Sequence, residues 1–376
     1  MPRVNGYAAL EARGRLVLFA FDRRDVRPHD VAIDITFCGI CHSDIHQARD
    51  EWTDSAFPMV PGHEIVGIVR QVGASVTRFK VGDTVGVGTF VDSCRSCDNC
   101  RAGLEQYCIP GNSQTYNGTE QDGKTPTRGG YSNHIVVDEH YVLRMPPSLA
   151  PQGAAPLLCA GITVYSPLRH WKVGPGSRVG IIGLGGLGNV AVKLARAMGA
   201  EVTVFSHSQR KREEALRLGA RRFYVMPNVD VAEELKYGLD LIVNTVSVPI
   251  EWSRYIELLR LDGTMVIVGI PASPAPVEAM PLIGARRCVA GSGTGGIAET
   301  QEMLDFCAAH NIVSDVEVVR IQEVNEAWNR VVNNDVRGRL VIDMASLPAP
   351  GLDEEAVTDI GLGPGPAPGW WRRAQE

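Results

Sequence analysis

Residues 179–192, VGIIGLGGLGNVAV, restrict the fold of this chain more than any other stretch. An apolar run of strand length passes directly into Gly183, Gly185 and Gly188, spaced G-x-G-x-x-G, and then into a helical pattern. That order is what a strand–turn–helix unit built to hold a dinucleotide requires. Gly183 permits the tight turn, Gly185 lets backbone approach a pyrophosphate, and Gly188 lets helix and strand pack closely, with Leu184, Gly186 and Leu187 completing the loop. The helix N-terminus then faces the phosphates with its partial positive charge. Further buried-strand patterns follow at 200–206, 221–226, 239–246, 264–270 and 286–292, with helical patterns such as QRKREEALRLG between several of them. Strands alternating with helices predict an α/β fold with a parallel, doubly wound sheet of the Rossmann kind.

The second strand of that unit, EVTVF, ends in Ser206, His207 and Ser208, followed by Arg210, Lys211 and Arg212. A site for NAD carries Asp or Glu at this strand end to hold the ribose 2′-hydroxyl. No carboxylate stands there, and hydroxyls with cations suit a 2′-phosphate, so the expected cofactor is NADP(H). The plainer reading of the same residues is a solvated basic helix start.

At 376 residues the chain is too long for one core, so two domains are expected. Residues 1–150 read as β-rich, with DVAIDITFCGI, HEIVGIVRQVG, VGDTVGVG and HIVVDEHYVLRM running or alternating apolar over strand lengths. After about residue 311, a strand, the amphipathic VNEAWNRVVNN and the strand GRLVIDM are expected to return to that first domain. Residues 346–376 are rich in Pro and Gly and are expected to form a largely disordered tail. A net charge of −6 gives no electrostatic reason for nucleic acid or an anionic membrane as partner. With no signal-type or membrane-length apolar run, a cytoplasmic protein with reduced thiols is expected.

Nine cysteines, an odd number, already argue against a complete disulfide framework. Four of them, Cys94, Cys97, Cys100 and Cys108, lie in CRSCDNCRAGLEQYC with C-x2-C-x2-C-x7-C spacing. Two-residue gaps let thiolates of a tight loop point at one tetrahedral centre, and four thiolates leave Zn²⁺ no open position. A structural zinc pinning a polar lobe is therefore predicted.

A second constellation is less determined. CGICHSDIH (38–46), PGHE (61–64) and LLCAGIT (157–163) offer Cys41, His63 and Cys159 as the three protein ligands a catalytic zinc needs. Spacing alone leaves Cys38 in competition with Cys41, and His42 or His46 with His63. Cys288 and Cys307 sit in apolar patterns and read as packing.

Taken together, CGICHSDIH, PGHEIVG, CRSCDNCRAGLEQYC, GGYSNHIVV, APLLCAGITVYSPL, GLGGLG and AGSGTGGIAETQEMLDF resemble, in order, the motifs of the zinc-dependent medium-chain dehydrogenases. Within them the chain is most similar to the cinnamyl-alcohol-dehydrogenase-like, NADP-dependent aldehyde reductases, over roughly residues 15–343. The resemblance implies Cys41, His63 and Cys159 on the catalytic zinc, with Glu64 as an exchanging ligand, and the other four cysteines on the structural zinc. It implies that Ser43 hydrogen-bonds the substrate oxygen and that His46 passes the proton on through the nicotinamide ribose. Thr163, Val268 and Ser292 fall where the family contacts the nicotinamide end. The implied architecture is a GroES-like β-barrel catalytic domain (1–159 and 297–345) around a Rossmann domain (160–296). An active site in the interdomain cleft and a homodimer through the Rossmann sheets go with it.

Some positions depart from the pattern. Asn189 stands where many relatives carry His, and His207 where a small hydroxyl residue is usual. Ser113 aligns with a pocket Trp of the plant lignin enzymes, and Trp52 occupies another pocket position, so a lignin substrate is not implied. The expected activity is NADPH-dependent, zinc-assisted reduction of aldehydes, reversible with primary alcohols. Two alternatives stand beside it: a dedicated biosynthetic reductase of an iminium or enal, and a non-catalytic NADPH-binding protein. The intact set of Cys41, Ser43, His46, His63 and Cys159 argues against the last.

Overall fold

The computed structural model describes residues 2–52, 54–226, 234–271, 274, 276–348 and 357–358. The chain divides into two units, Met1–Cys159 with Gly295–Glu376, and Ala160–Thr294.

In the second unit six strands form one parallel sheet: β1 (Arg178–Ile182), β2 (Glu201–Ser206), β3 (Arg222–Val225), β4 (Leu239–Asn244), β5 (Leu259–Ile267) and β6 (Cys288–Gly291). Their spatial order is β3-β2-β1-β4-β5-β6, so the sheet grows in both directions from β1. The strands are near-continuous apolar runs because a parallel sheet is covered on both faces. Ile182, Phe205, Leu239, Ile242, Leu259 and Met265 form much of one covering core. The helix Gly186–Ala197 follows β1 at once, and Arg212–Leu218 follows β2 after a turn at Gln209–Lys211.

Register lines up the carboxyl ends. Ile182 pairs with Phe205 on one side and Asn244 on the other, Asn244 pairs with Ile267, and Ile267 with Gly291. The residues just beyond that row are Gly183, Ser206, Thr245, Val268 and Ser292. The strand order reverses at β1, and such a switch point is where doubly wound sheets bind ligands.

In the first unit the long strand Asp30–Gly39 is the organiser. It pairs antiparallel with Ile65–Val72, with His134–Asp138 and, at its end, with Arg339–Asp343. The last of these brings the C-terminal part of the chain back into the N-terminal sheet, with Val316–Arg320 parallel at its edge. Tyr131, Phe21, Ile33, Ile65, Ile135 and Leu143 are fully buried here. The hairpin Arg3–Ala9 and Leu16–Asp22 lies apart from this sheet.

The expected tail starts later than residue 346. Met344–Ser346 forms a helical turn, Leu347 is buried, and the Pro348 carbonyl accepts from Asn5 Nδ2 at 3.2 Å. Val357–Thr358 pairs in parallel with Phe19 and Ala20 of the hairpin. Residues 349–356 and 359–376, on which the rest of that expectation falls, lie outside the described residues.

Candidate active site and metal centres

Among the described residues, two sets of side chains each bring their ligand atoms within 4.8 Å of one another: Cys94, Cys97, Cys100, Cys108 and Cys41, His63, Glu64, Cys159.

The first set sits on a polar loop closed by the helical turn Asp98–Arg101. Backbone amides point at its sulfurs: Cys94 N to Cys108 Sγ at 3.4 Å, Cys97 N to Cys94 Sγ at 3.3 Å and Ile109 N to Cys97 Sγ at 3.5 Å. Amide donors favour thiolate over thiol, and those to Cys94 hold it down at about 6. Burial acts the other way on Cys108 and Cys100. Four sulfurs within 4.8 Å of one another, three of them with backbone amides aimed at them, fit a closed tetrahedral zinc site.

The second set is deeply buried and is assembled from three places in the sequence. Cys41 caps the short helix His42–Ala48, His63 and Glu64 precede the strand Ile65–Val72, and Cys159 ends a helical turn at Ala155–Leu158. Cys41 Sγ and Cys159 Sγ are 3.9 Å apart. Their mutual hydrogen bond eases the first proton off Cys41 and holds the second on Cys159. Asp44, fully buried on the same helix, takes His63 Nδ1 at 3.2 Å, Cys41 N at 3.0 Å and Gly62 N at 3.0 Å. A carboxylate on one imidazole nitrogen presents the other for metal, the arrangement that orients a ligating histidine. Glu64 Oε1 is held by the Arg339 guanidinium, whereas Oε2 is buried without a hydrogen-bond partner. Burial pushes this carboxyl up to about 8 against the pull of Arg339. Two thiols, an oriented imidazole and an orphaned carboxylate oxygen fit a zinc ion with an exchangeable fourth position.

Asp44, Arg339 and Glu51 are functional neighbours that the sequence pattern did not single out. Asp44 was within reach, since CHSDIH places it one residue after Ser43. Arg339 lies 275 positions from Glu64 and has no local signal. Tyr116, also unforeseen, stacks against His63 at 5.7 Å.

On the same helix Ser43 Oγ lies 3.5 Å from Cys41 Sγ. His46 Nδ1 bonds to Glu51, and Trp52 stacks on the His46 ring at 5.2 Å. The competing ligand candidates separate clearly: Cys38 is outside the set, with its Sγ 3.7 Å from the Gly39 carbonyl, and His42 is exposed. Ser113 is 2% exposed, pairs as a strand with Phe90–Asp92 and accepts from Gln121 Nε2 at 2.9 Å.

In the second unit Gly183 has φ 91°, in the left-handed region that glycine tolerates. A Cβ on Gly188 would collide with the Gly183 carbonyl, so both glycines are required for the close turn. Gly185 caps the helix Gly186–Ala197, and Leu184 is buried under the loop. Ser206 Oγ accepts from Ser208 N at 3.3 Å, Ser208 Oγ accepts from Arg210 N at 3.4 Å, and both hydroxyls keep a proton to donate. His207 is exposed at the strand end. Lys211 Nζ pairs with Glu214 at 3.1 Å, and Asn189 Nδ2 reaches the other oxygen of that carboxylate at 3.3 Å. Thr163 is buried in the helix Ala160–His170. Val268 and Ser292 donate backbone N–H groups to Asn244 and Ile267, each at 3.1 Å.

Residues 27–147 match the alcohol dehydrogenase GroES-like domain, and residues 186–309 match the zinc-binding dehydrogenase family. The chain is 57% identical to NADP-dependent alcohol dehydrogenase C 1 of Mycolicibacterium smegmatis, over 92% of this chain and 99% of that one. It is 49% identical to aldehyde reductase YahK of Escherichia coli, again over 92% and 99%. Among solved structures it is similar to a cinnamyl alcohol dehydrogenase from Sorghum bicolor, with TM-score 0.89, 46% identity and coverage of 92% and 99%. It is also similar to the cinnamyl alcohol dehydrogenase of Helicobacter pylori complexed with NADP(H), with TM-score 0.86, 42% identity and the same coverage. With a GroES-like unit, a Rossmann unit and two cysteine-rich ligand sets in one chain, this protein belongs to the zinc-dependent medium-chain alcohol dehydrogenase family, in its cinnamyl-alcohol-dehydrogenase-like branch.

Proposed function

We propose that this protein is an NADPH-dependent, zinc-assisted reductase of aldehydes that also runs in reverse on primary alcohols. The observation that carries it is the buried set Cys41, His63, Glu64 and Cys159 with the Ser43 hydroxyl beside it. When bound there, zinc supplies a Lewis acid for a carbonyl oxygen, and NADPH supplies hydride to the carbonyl carbon. The chain's own residues do the rest. Cys41 and Cys159 as thiolates neutralise the metal charge, and Asp44 keeps the His63 ring in the ligating orientation. Ser43 donates its proton to the oxygen that becomes the alcohol. His46 resupplies it from the imidazolium form: Nδ1–H stays on the Glu51 carboxylate, Nε2 gives up its proton toward Ser43, and the neutral ring left behind carries the lone pair on Nε2 that accepts the proton when the reaction runs in reverse. A hydroxyl relay keeps a charged acid out of the buried pocket.

NADPH is favoured over NADH by the Ser206–Lys211 segment, where hydroxyls and guanidinium or ammonium groups replace the carboxylate of NAD sites. The names of the relatives, NADP-dependent alcohol dehydrogenase and aldehyde reductase, support the same reading. Zinc-replete protein is assayed with aromatic and aliphatic aldehydes and each cofactor. NADPH oxidation at least about a hundredfold more efficient than NADH oxidation is expected from two or three charge-assisted contacts. Inactivity on every aldehyde, or equal use of NADH, overturns the assignment.

The homodimer is part of this proposal. Strand β6 is an edge, and Met280 and Ile283 of the neighbouring helix Ala279–Ile283 are 73% and 72% exposed. An open edge beside a bare apolar helix suits a second copy of the same sheet. No described helix is long and apolar enough to cross a membrane.

A further inference from the structure

The helix His42–Ala48 carries two histidines four residues apart, which places both on one face. Their ring centroids are 6.0 Å apart with the planes inclined by 32°. Two imidazoles sharing one divalent ion, each nitrogen at about 2.1 Å, lie on the order of 5 to 6 Å apart ring to ring. His42 is exposed and takes no part in the buried ligand set, and His46 is partly exposed at 29% of its side chain. His46 is already oriented: Nδ1 is engaged by Glu51, as ligating histidines are by their supporting carboxylates, and Trp52 backs the ring.

We propose that His42 and His46 form a third, inhibitory site for a borderline divalent cation of the Zn²⁺ or Ni²⁺ class, with water completing the coordination. The helix spacing sets both imidazoles on one face at a separation one ion can bridge, and Glu51 fixes the tautomer of the neutral His46 ring. Such an ion is held by two protein ligands instead of four, so it is bound far more weakly than the ions of the two cysteine sets. Occupancy ties up the Nε2 lone pair of His46. The inhibition, though not the binding, rests on His46 serving the proton relay proposed above.

The test uses zinc-replete enzyme, two zincs per chain by elemental analysis, titrated calorimetrically with Ni²⁺ while NADPH-dependent turnover is followed in parallel. One additional weak site and a matching loss of turnover are expected. His42→Gln should weaken nickel binding at least about tenfold and shift the inhibition curve equally, with metal-free-buffer turnover, zinc content and melting temperature unchanged. Glu51→Gln should weaken nickel by about tenfold through the lost orienting carboxylate. Equal nickel affinity in wild type and His42→Gln overturns the site. Binding that depends on His42 but leaves turnover untouched establishes the site and removes His46 from the relay.

Discussion

Asp44 is surrounded by donors, with Cys41 N, Gly62 N, His63 Nδ1 and the Tyr131 hydroxyl at 3.0 to 3.3 Å. An asparagine there must turn its NH₂ onto one of them. Asp44→Asn is therefore expected to loosen His63 and lower affinity for the buried zinc by about 10- to 100-fold. A chelator competition at fixed pH measures it, and unchanged zinc retention would remove Asp44 from the metal's support. Arg339 is the complementary case. It is buried, Glu64 and the nearby thiolates hold its guanidinium charged against that burial, and it comes from a strand at the far end of the chain. Arg339→Met strands a buried carboxylate and is expected to cost about 3–5 kcal/mol in denaturant unfolding, whereas Arg339→Met with Glu64→Gln recovers most of it. No recovery in the double variant would show that the loss is packing. These residues also mark how far sequence reading reaches. Cysteine spacing located the closed site because its ligands are local. The open site needed the family pattern to choose Cys41 over Cys38, and Arg339 was invisible because its partner is set by tertiary pairing of Arg339–Asp343 with Asp30–Gly39.

Among elements, the cysteine loop does more than close on itself. Glu105, in the turn just before Cys108, accepts from Ile297 N at 3.2 Å and so caps the helix Ile297–Ala309. A Cβ at Gly296 would collide with the Gly103 carbonyl, so loop and helix start are in close backbone contact. A loop with few apolar residues relies on its metal for order. Replacing Cys97 with Ser is thus expected to raise amide exchange across 94–112 and at 297–300 together, while β1, β2 and β4 keep their protection. Exchange confined to 94–112 would show that the helix start is held by something else. Strand existence was legible from apolar runs throughout the second unit and in the main sheet of the first, but the hairpin Arg3–Ala9 and Leu16–Asp22 and the short pair Phe90–Asp92 with Ser113–Gln114 went unread, while the glycine loop fell on β1 and its helix as written. What periodicity could not give was register, which alone reveals that Gly183, Ser206, Val268 and Ser292 stand in one row. Ser113 shows the same limit, since nothing local to it announces the strand pairing with Phe90–Asp92 that buries it.

At the scale of the molecule, the sheet of the second unit ends in an open edge. Among the described residues β6 pairs with β5 on one side only, and its four residues are exposed or half-buried. In the segment leading to it, Val277, Met280 and Ile283 are 41%, 73% and 72% exposed, with Ile270 at 55%. Open strand edges invite pairing, and apolar side chains clustered next to one mark an interface more often than a bare surface. A second copy related by a two-fold axis satisfies both at once, since antiparallel pairing of β6 with its mate continues the ladder and brings the two apolar helices together. Sedimentation should therefore give a dimer for the zinc-replete protein. Ile283→Glu places two like charges in that contact and should shift the equilibrium to monomer, with the zinc content of both cysteine sets unchanged. Met280→Leu keeps the apolar surface and should remain dimeric, which separates charge repulsion from misfolding. A monomer in the unmodified protein, or a dimer indifferent to Ile283→Glu, would place the partner elsewhere than on β6.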